Sequence, residues 1–368
     1  MSKIRFYLGT YTEPILFGTG ELFQGKGKGI YRLLLDPQSG ALSFEGEPAP
    51  SLNPSFVCLS PDQRFLYAVN ELKIWEGKAG GGVSAYRVEA DGSLTFLNAR
   101  PTGGTDPCHV IVNAAQTHVY VSNFMSGSVS VYPIRDDGSL GEMSDFHQYE
   151  GSGPVTARQK GPHAHSLTFS PDQRFAFVPD LGTDRLMAYR TDFENGKLPA
   201  ADAPFVKLFG GSGPRYGEFH PNGRFFYLIN EIASSISLFH FDAASGQLSL
   251  EQTVDTIPEE AKKASGNICA DLHITPDGRF LYGSNRGHNS LTAYRIDPEN
   301  GRLTEIANIP CGGRTPRNFC IESGGRYLIC GLQDSDNITV FAIDPESGAL
   351  QLVYDLPAPS PVCIREVR

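Results

Sequence analysis

A chain of 368 residues with 40% apolar and 20% charged side chains has the composition of a core-forming globular protein, not of a disordered polymer. Its formal net charge of −10 argues against a nucleic-acid or anionic membrane partner. No segment approaches the roughly 18 apolar residues of a membrane span, and "MSKIRFYLGTYT" reads directly as a strand.

The first predicted elements are three alternating runs, "FYLGTYT", "GIYRLLLD" and "GALSFEG". Between them, "GELFQGKG" from Gly20 approaches a phosphate-binding loop, but it ends in Gly where Ser or Thr is needed and no helix signal follows. A turn signal then recurs along the chain: "SPDQRFLY" from Ser60, "SPDQRFAF" from Ser170, "HPNGRFFY" from His220 and "TPDGRFLY" from Thr275. Weaker copies are "NAAQTHVY" from Asn113 and "ESGGRYLI" from Glu322. Each lies between two short apolar runs, which predicts a β-hairpin. A third alternating run follows each hairpin, such as "GGVSAYRVEA" or "NSLTAYRIDP", and then a second turn and a fourth run.

The unit is thus four antiparallel strands recurring about every 50 residues, the signature of a β-propeller. Six units are complete. The N-terminal stretch lacks a first strand, and the C-terminal "PVCIREV" supplies one alone. The two ends are expected to pair in one blade and close a seven-bladed, all-β ring spanning 1–368 as a single domain. "DTIPEEAKKASGNIC" after Asp255 is helix-like and reads as an excursion between blades. Seven scattered cysteines, an odd number without a CxxC pair, fit a reducing compartment, so a cytoplasmic location is expected.

Aligning the units on the turn proline selects two variable positions. Six residues before it stand Ser55, Cys108, His165, Arg215, Ala270 and Arg317; ten after it stand Glu71, Phe124, Leu181, Glu231, Arg286 and Gln333. In an antiparallel hairpin these two positions are neighbours. They predict a channel mouth carrying His165, Arg215, Arg317, Glu231, Arg286, Glu71 and Gln333. Three arginines and a histidine converging in an acidic chain point to an anion site, whereas rim positions that are merely wet would also be polar. Asn70, Asn123, Asp180, Asn230 and Asn285, just before the rim end, read as turn-bonding residues. His163 lies two residues before His165, on a longer approach, and fits either the mouth or a structural hydrogen bond. No HExxH, GxSxG, EF-hand loop or clustered His/Cys set occurs, so no metal or cofactor is expected.

"LGTYT", "PHAHSLTFSPD", "VPDLGTDR", "GPRYGEFHPNGRFFYLINE", "SNRGHNSL" and "TPRNFCIESGG" together resemble the seven-bladed lactonase family. That family holds the bacterial propeller-type 6-phosphogluconolactonases and the fungal carboxymuconate lactonising enzymes. The resemblance covers essentially the whole chain. It implies a site at the channel mouth in which His165 (with His163 as rival), Arg215, Glu231 and Arg286 act. Arg317, Glu71 and Gln333 join them as candidate substrate-binding residues. Tyr216 departs from relatives that carry a second His there.

The implied reaction is hydrolysis of 6-phospho-D-glucono-1,5-lactone, with a small anionic lactone as the only partner and a monomer or weak homo-oligomer as the expected state. His165 would be the general base for water, because imidazole titrates near neutrality. Glu231 would orient the water or the histidine, and the arginines would polarise the carbonyl and bind anionic oxygens. A lactonising activity on a carboxylated muconate needs the same cationic mouth. A propeller that only binds a partner would more often carry apolar rim residues, and only Phe124 and Leu181 fit that.

Overall fold

The alternating runs form seven four-stranded antiparallel sheets in the computed structural model, which describes residues 3–368. The fold is a seven-bladed β-propeller. By packing, the described residues divide into two compact units, one of 3–8, 31–46 and 215–368, the other of 9–30 and 47–214.

Four sheets belong to the first unit. One joins the two ends of the chain, with Pro361–Glu366 paired to Ile4–Thr10, followed by Tyr31–Leu35 and Leu42–Phe44. The others run Pro214–Phe219 to Gln247–Asp255, Ile268–Ile274 to Leu303–Pro310, and Pro316–Ile321 to Leu350–Pro357. The second unit holds the sheets Val57–Leu59 to Leu94–Pro101, Pro107–Val112 to Asp145–Gln148, and Thr168–Phe169 to Ala200–Lys207. The sequence-predicted helix is Glu259–Ser265, ended by Gly266 in the left-handed region (φ 57°).

Why the hairpins form is visible in their turns. Ser60 Oγ donates to Asp62 and accepts from the Phe65 amide, at 2.7 and 3.0 Å. Ser170 and Thr275 repeat this arrangement with Asp172 and Phe175, and with Asp277 and Phe280. One residue of each turn is left-handed: Gln63, Gln173 or Gly278. The second strands, such as Phe225–Asn230, are buried throughout, while the fourth, such as Leu350–Pro357, are mostly exposed. The asparagines before each rim end do bond locally: Asn230 Nδ2 donates to Ser235 and Ser237, and Asn285 Nδ2 to Ser290.

Two hairpins were not foreseen. Ile15–Leu16 pairs with Leu22–Phe23, the stretch that resembled a phosphate loop, and Ile74–Trp75 pairs with Lys78–Ala79. The first strand of the hairpin that follows His163 and His165 begins only at Thr168; ahead of it the pairing continues as single contacts, His165 N to Pro179 O and Leu181 N to His163 O, both 3.0 Å.

In the first unit, the first strands carry a buried polar network. His273 Nδ1–H donates to Glu218 Oε2 at 2.7 Å, and its Nε2 lies 3.3 Å from Asp271 Oδ2. Asn318 Nδ2 donates to the same Asp271 oxygen at 2.5 Å and its Oδ1 accepts the Ile364 amide at 2.7 Å, which ties the C-terminal strand to two neighbouring sheets. The rings of Tyr216 and Phe319 pack edge-on to His273. Burial alone would favour neutral imidazole, but the Asp271 and Glu218 carboxylates outweigh it and raise the His273 pKa to about 9. Asp271 is held below its usual range despite burial, through His273 and Arg365.

A folded pKa above the unfolded one contributes stability that is complete below about 6.5 and fades as pH rises through about 9. Wild-type protein is therefore expected to lose on the order of 3 kcal/mol between pH 6.5 and 9.5 in urea titrations. His273→Gln, with no charge to lose, should lack that slope; parallel pH curves for the two proteins would contradict the assignment.

Candidate active site

The register places Arg215 at the start of one strand and Glu231 just past the end of its hairpin partner, 16 residues on. Arg215 Nε donates to Glu231 Oε2 at 2.9 Å. From the next sheet, Arg286 Nη2 donates to the same oxygen at 2.6 Å and to the Cys269 carbonyl at 2.7 Å. Arg215 Nη1 donates to the Ala270 carbonyl. All three side chains are at least nine-tenths buried, with relative exposures of 8%, 3% and 10%. Two guanidiniums around one carboxylate leave a net positive charge in a desolvated place, where an anionic oxygen is held more strongly than at the surface. Glu231 thus accepts from both arginines through one carboxylate oxygen.

A backbone irregularity sets these groups. In the first strands the pairing register jumps between Pro107 and His109, between Cys269 and Leu272, and between Pro316 and Asn318. The residues passed over include Cys108, Ala270 and Arg317, the very positions selected by alignment. Bulges re-aim side chains and expose carbonyls, and the Ala270 oxygen, inside one of them, accepts from Arg215. Sequence alignment without gaps locates these positions but cannot show that they leave the ladder.

Also in the first unit, Arg317 Nη1 donates to Gln333 Oε1 at 3.3 Å, and Gln333 Nε2 to Asp334 at 2.8 Å. Arg317 is half-buried and Gln333 buried. This is a second hairpin pair at the same two register positions.

In the second unit, His163 and His165 flank Ala164, which bridges to Asp180. Both rings meet Phe124: His163 stacks on it with centroids 4.7 Å apart and planes 18° apart, and His165 approaches edge-on at 5.0 Å. The two alternatives for His163 resolve in part, since its Nδ1 donates to the Phe124 carbonyl at 2.9 Å while its backbone amide donates to Asp180. Cys108 Sγ lies 3.6 Å from His165 Nδ1, a neighbour that the sequence reading did not connect, although both residues hold the same register position in adjacent sheets. Glu71 is buried and accepts the Tyr11 hydroxyl at 2.9 Å, a partner contributed by a connection outside the repeat. Among the described residues no group of three or more His, Cys, Asp or Glu side chains is arranged to hold a metal ion.

The family model for the seven-bladed β-propeller lactonases matches residues 5–366. This chain belongs to that family. It is 32% identical to the 6-phosphogluconolactonase of Bacillus subtilis over 88% of its length and 86% of the relative's. Identity to the 6-phosphogluconolactonase of Formosa agariphila is 34%, covering 80% of this chain and 83% of that one. The solved structure of the Pseudomonas aeruginosa periplasmic gluconolactonase superposes with a TM-score of 0.91 at 32% identity, covering 100% of this chain and 99% of the other.

Removing Glu231 from the lactonase leaves two guanidiniums buried beside each other without their shared counter-charge. Glu231→Ala is expected to cost about 3–5 kcal/mol of unfolding free energy, whereas Arg317→Ala at its half-buried position should cost about 1 kcal/mol or less. Chemical denaturation of both variants checks this, and equal losses would remove the special role given to the shared carboxylate.

Proposed function

We propose that this lactonase hydrolyses 6-phospho-D-glucono-1,5-lactone to 6-phosphogluconate, a step of the pentose phosphate pathway. The observation that carries the reading is the buried Arg215–Glu231–Arg286 cluster, in a chain whose relatives in Bacillus subtilis and Formosa agariphila bear that activity in their names. Water adds to the lactone carbonyl carbon, its proton leaves to a base, and the ring C–O bond breaks as the ring oxygen takes up a proton. Negative charge develops on the carbonyl oxygen during addition. Arg215 and Arg286, locked by one carboxylate, are preorganised donors for an anionic oxygen and need no reorganisation when that charge appears. Glu231 is a positioning residue in this scheme, and His165 is the candidate base. Arg317 and Gln333, with Glu71, His163 and their partners, are assigned to substrate contacts.

A reducing compartment, taken here as the cytoplasm, is supported by the buried thiols of Cys269, Cys311, Cys320 and Cys330. Burial pushes Cys311 up to about 11 and Cys269 up to about 12, the range of inert structural thiols. The Pseudomonas aeruginosa relative is named as periplasmic, so fractionation of the native host decides the point.

The test is consumption of freshly generated 6-phosphogluconolactone by purified protein against its spontaneous hydrolysis, followed as acid release. Wild type should accelerate it strongly, Arg286→Ala should lose about 100- to 1,000-fold in kcat, and His165→Ala about 100-fold or more. A rate no better than buffer would overturn the reading. Equal turnover of unphosphorylated gluconolactone would move the substrate toward that of the Pseudomonas aeruginosa relative.

A further inference from the structure

An anion site selects charge, yet a lactone ring also presents a face of C–H bonds that arginines do not recognise. Small-molecule sites commonly combine a few polar groups with an apolar or aromatic wall. In the second unit, Phe124 stands just past the end of its strand, at the register position that carries Glu71 one sheet earlier and ionisable or amide groups in three other sheets. It is half-buried, as is the His163 ring stacked on it.

The pair is fixed from several directions. The His163 ring is tied to the Phe124 carbonyl, and its backbone amide to Asp180. The His165 ring meets the same phenyl group edge-on. The hairpin Ile15–Phe23 closes another side: a Cβ on Gly18 would lie 3.0 Å from the Phe124 ring, tighter than ordinary van der Waals contact, so the tip sits directly against the ring. The same hairpin packs Phe17 and Phe23 on Tyr11, with centroids 5.6 and 5.8 Å away, and the Tyr11 hydroxyl donates to Glu71. One connection thus spans two candidate substrate contacts. The corresponding connections in the three sheets of the second unit are the short turns Asn123 to Ser128 and Asp180 to Arg185 and the one holding the Ile74–Ala79 hairpin.

We propose that the Phe124–His163 stack, held by the Ile15–Phe23 hairpin, is a ring-recognition platform that takes the C–H face of a pyranose-sized lactone. This deepens the lactonase reading given above and rests on it for the identity of the ring. The platform acts in binding, not in the chemical step, so its loss is expected in KM and not in kcat.

The experiment compares wild type with Phe124→Leu and Phe124→Trp in the full chain, measuring lactone kinetics, inhibition by glucose 6-phosphate as a stable pyranose, and inhibition by open-chain 6-phosphogluconate. Phe124→Leu should raise KM and the glucose 6-phosphate inhibition constant about tenfold, the size of one lost aromatic contact, with kcat within about threefold and 6-phosphogluconate inhibition little changed. Phe124→Trp should restore both ring-dependent constants, which also shows that the site still folds. Unchanged KM and ring inhibition would overturn the platform. So would a fall in kcat with a displaced pH–rate profile, because Phe124 would then serve only to hold His165. If wild type hydrolyses no lactone but binds glucose 6-phosphate in titration calorimetry, and Phe124→Leu weakens that binding, the hydrolytic reading fails and the platform stands. If wild type neither hydrolyses the lactone nor binds the pyranose, the platform falls as well.

Discussion

The hairpin formed by the first two strands of each sheet is the constraint on which both the core and the candidate site depend. Its register brings the residue six before the turn beside the residue ten after it, so a pair 16 positions apart in sequence becomes a side-chain contact. Arg215–Glu231 and Arg317–Gln333 are two instances of that one geometry. Because a strand's side-chain period is two, a slip of one residue would exchange the two buried faces of Phe225–Asn230 as well as part these pairs. The turns that pin the register of these two hairpins, with His220 Nδ1 accepting the Asn222 amide and Glu322 accepting the Gly324 and Arg326 amides, therefore maintain function as much as stability.

Two charge clusters in the first unit sit on the same set of first strands and illustrate different uses of buried charge. Around Asp271 and Glu218, two carboxylates face two cations, His273 and Arg365, and Asn318 seals the cluster further, so opposite charges are closely matched. Around Glu231, one carboxylate lies between two cations, and an excess of positive charge remains. Burying ions is expensive, and a hydrophobic replacement is often no less stable. A matched cluster repays part of that cost by joining strands to one another. An unmatched cluster leaves capacity for an anion, which is why the second and not the first is assigned to substrate.

Much of this was legible in the sequence because a repeat supplies its own alignment. The turn prolines revealed four-stranded units, the N- and C-terminal leftovers revealed the shared sheet, and the variable positions picked out Arg215, Glu231 and Arg286. What escaped had no repeat to stand against. The Ile15–Phe23 and Ile74–Ala79 hairpins lie in connections unique to their sheets, with paired segments of two residues each, below the length at which alternation registers. The bulges at Cys108, Ala270 and Arg317 are backbone events with no composition signal. The proximity of Cys108 to His165 follows from how adjacent sheets pack, which spacing along one strand cannot report.

The sheet that holds both chain ends has a consequence for how the protein is made. Ile4–Thr10 leaves the ribosome long before Pro361–Glu366 exists to pair with it. Throughout synthesis, that early strand keeps one edge of backbone N–H and C=O groups unsatisfied, a template for pairing with any other extended chain. Contacts of such separation also close slowly. A nascent chain of this architecture therefore carries an open sheet edge for as long as translation lasts, and slow synthesis of its last blade prolongs that exposure without altering a single residue.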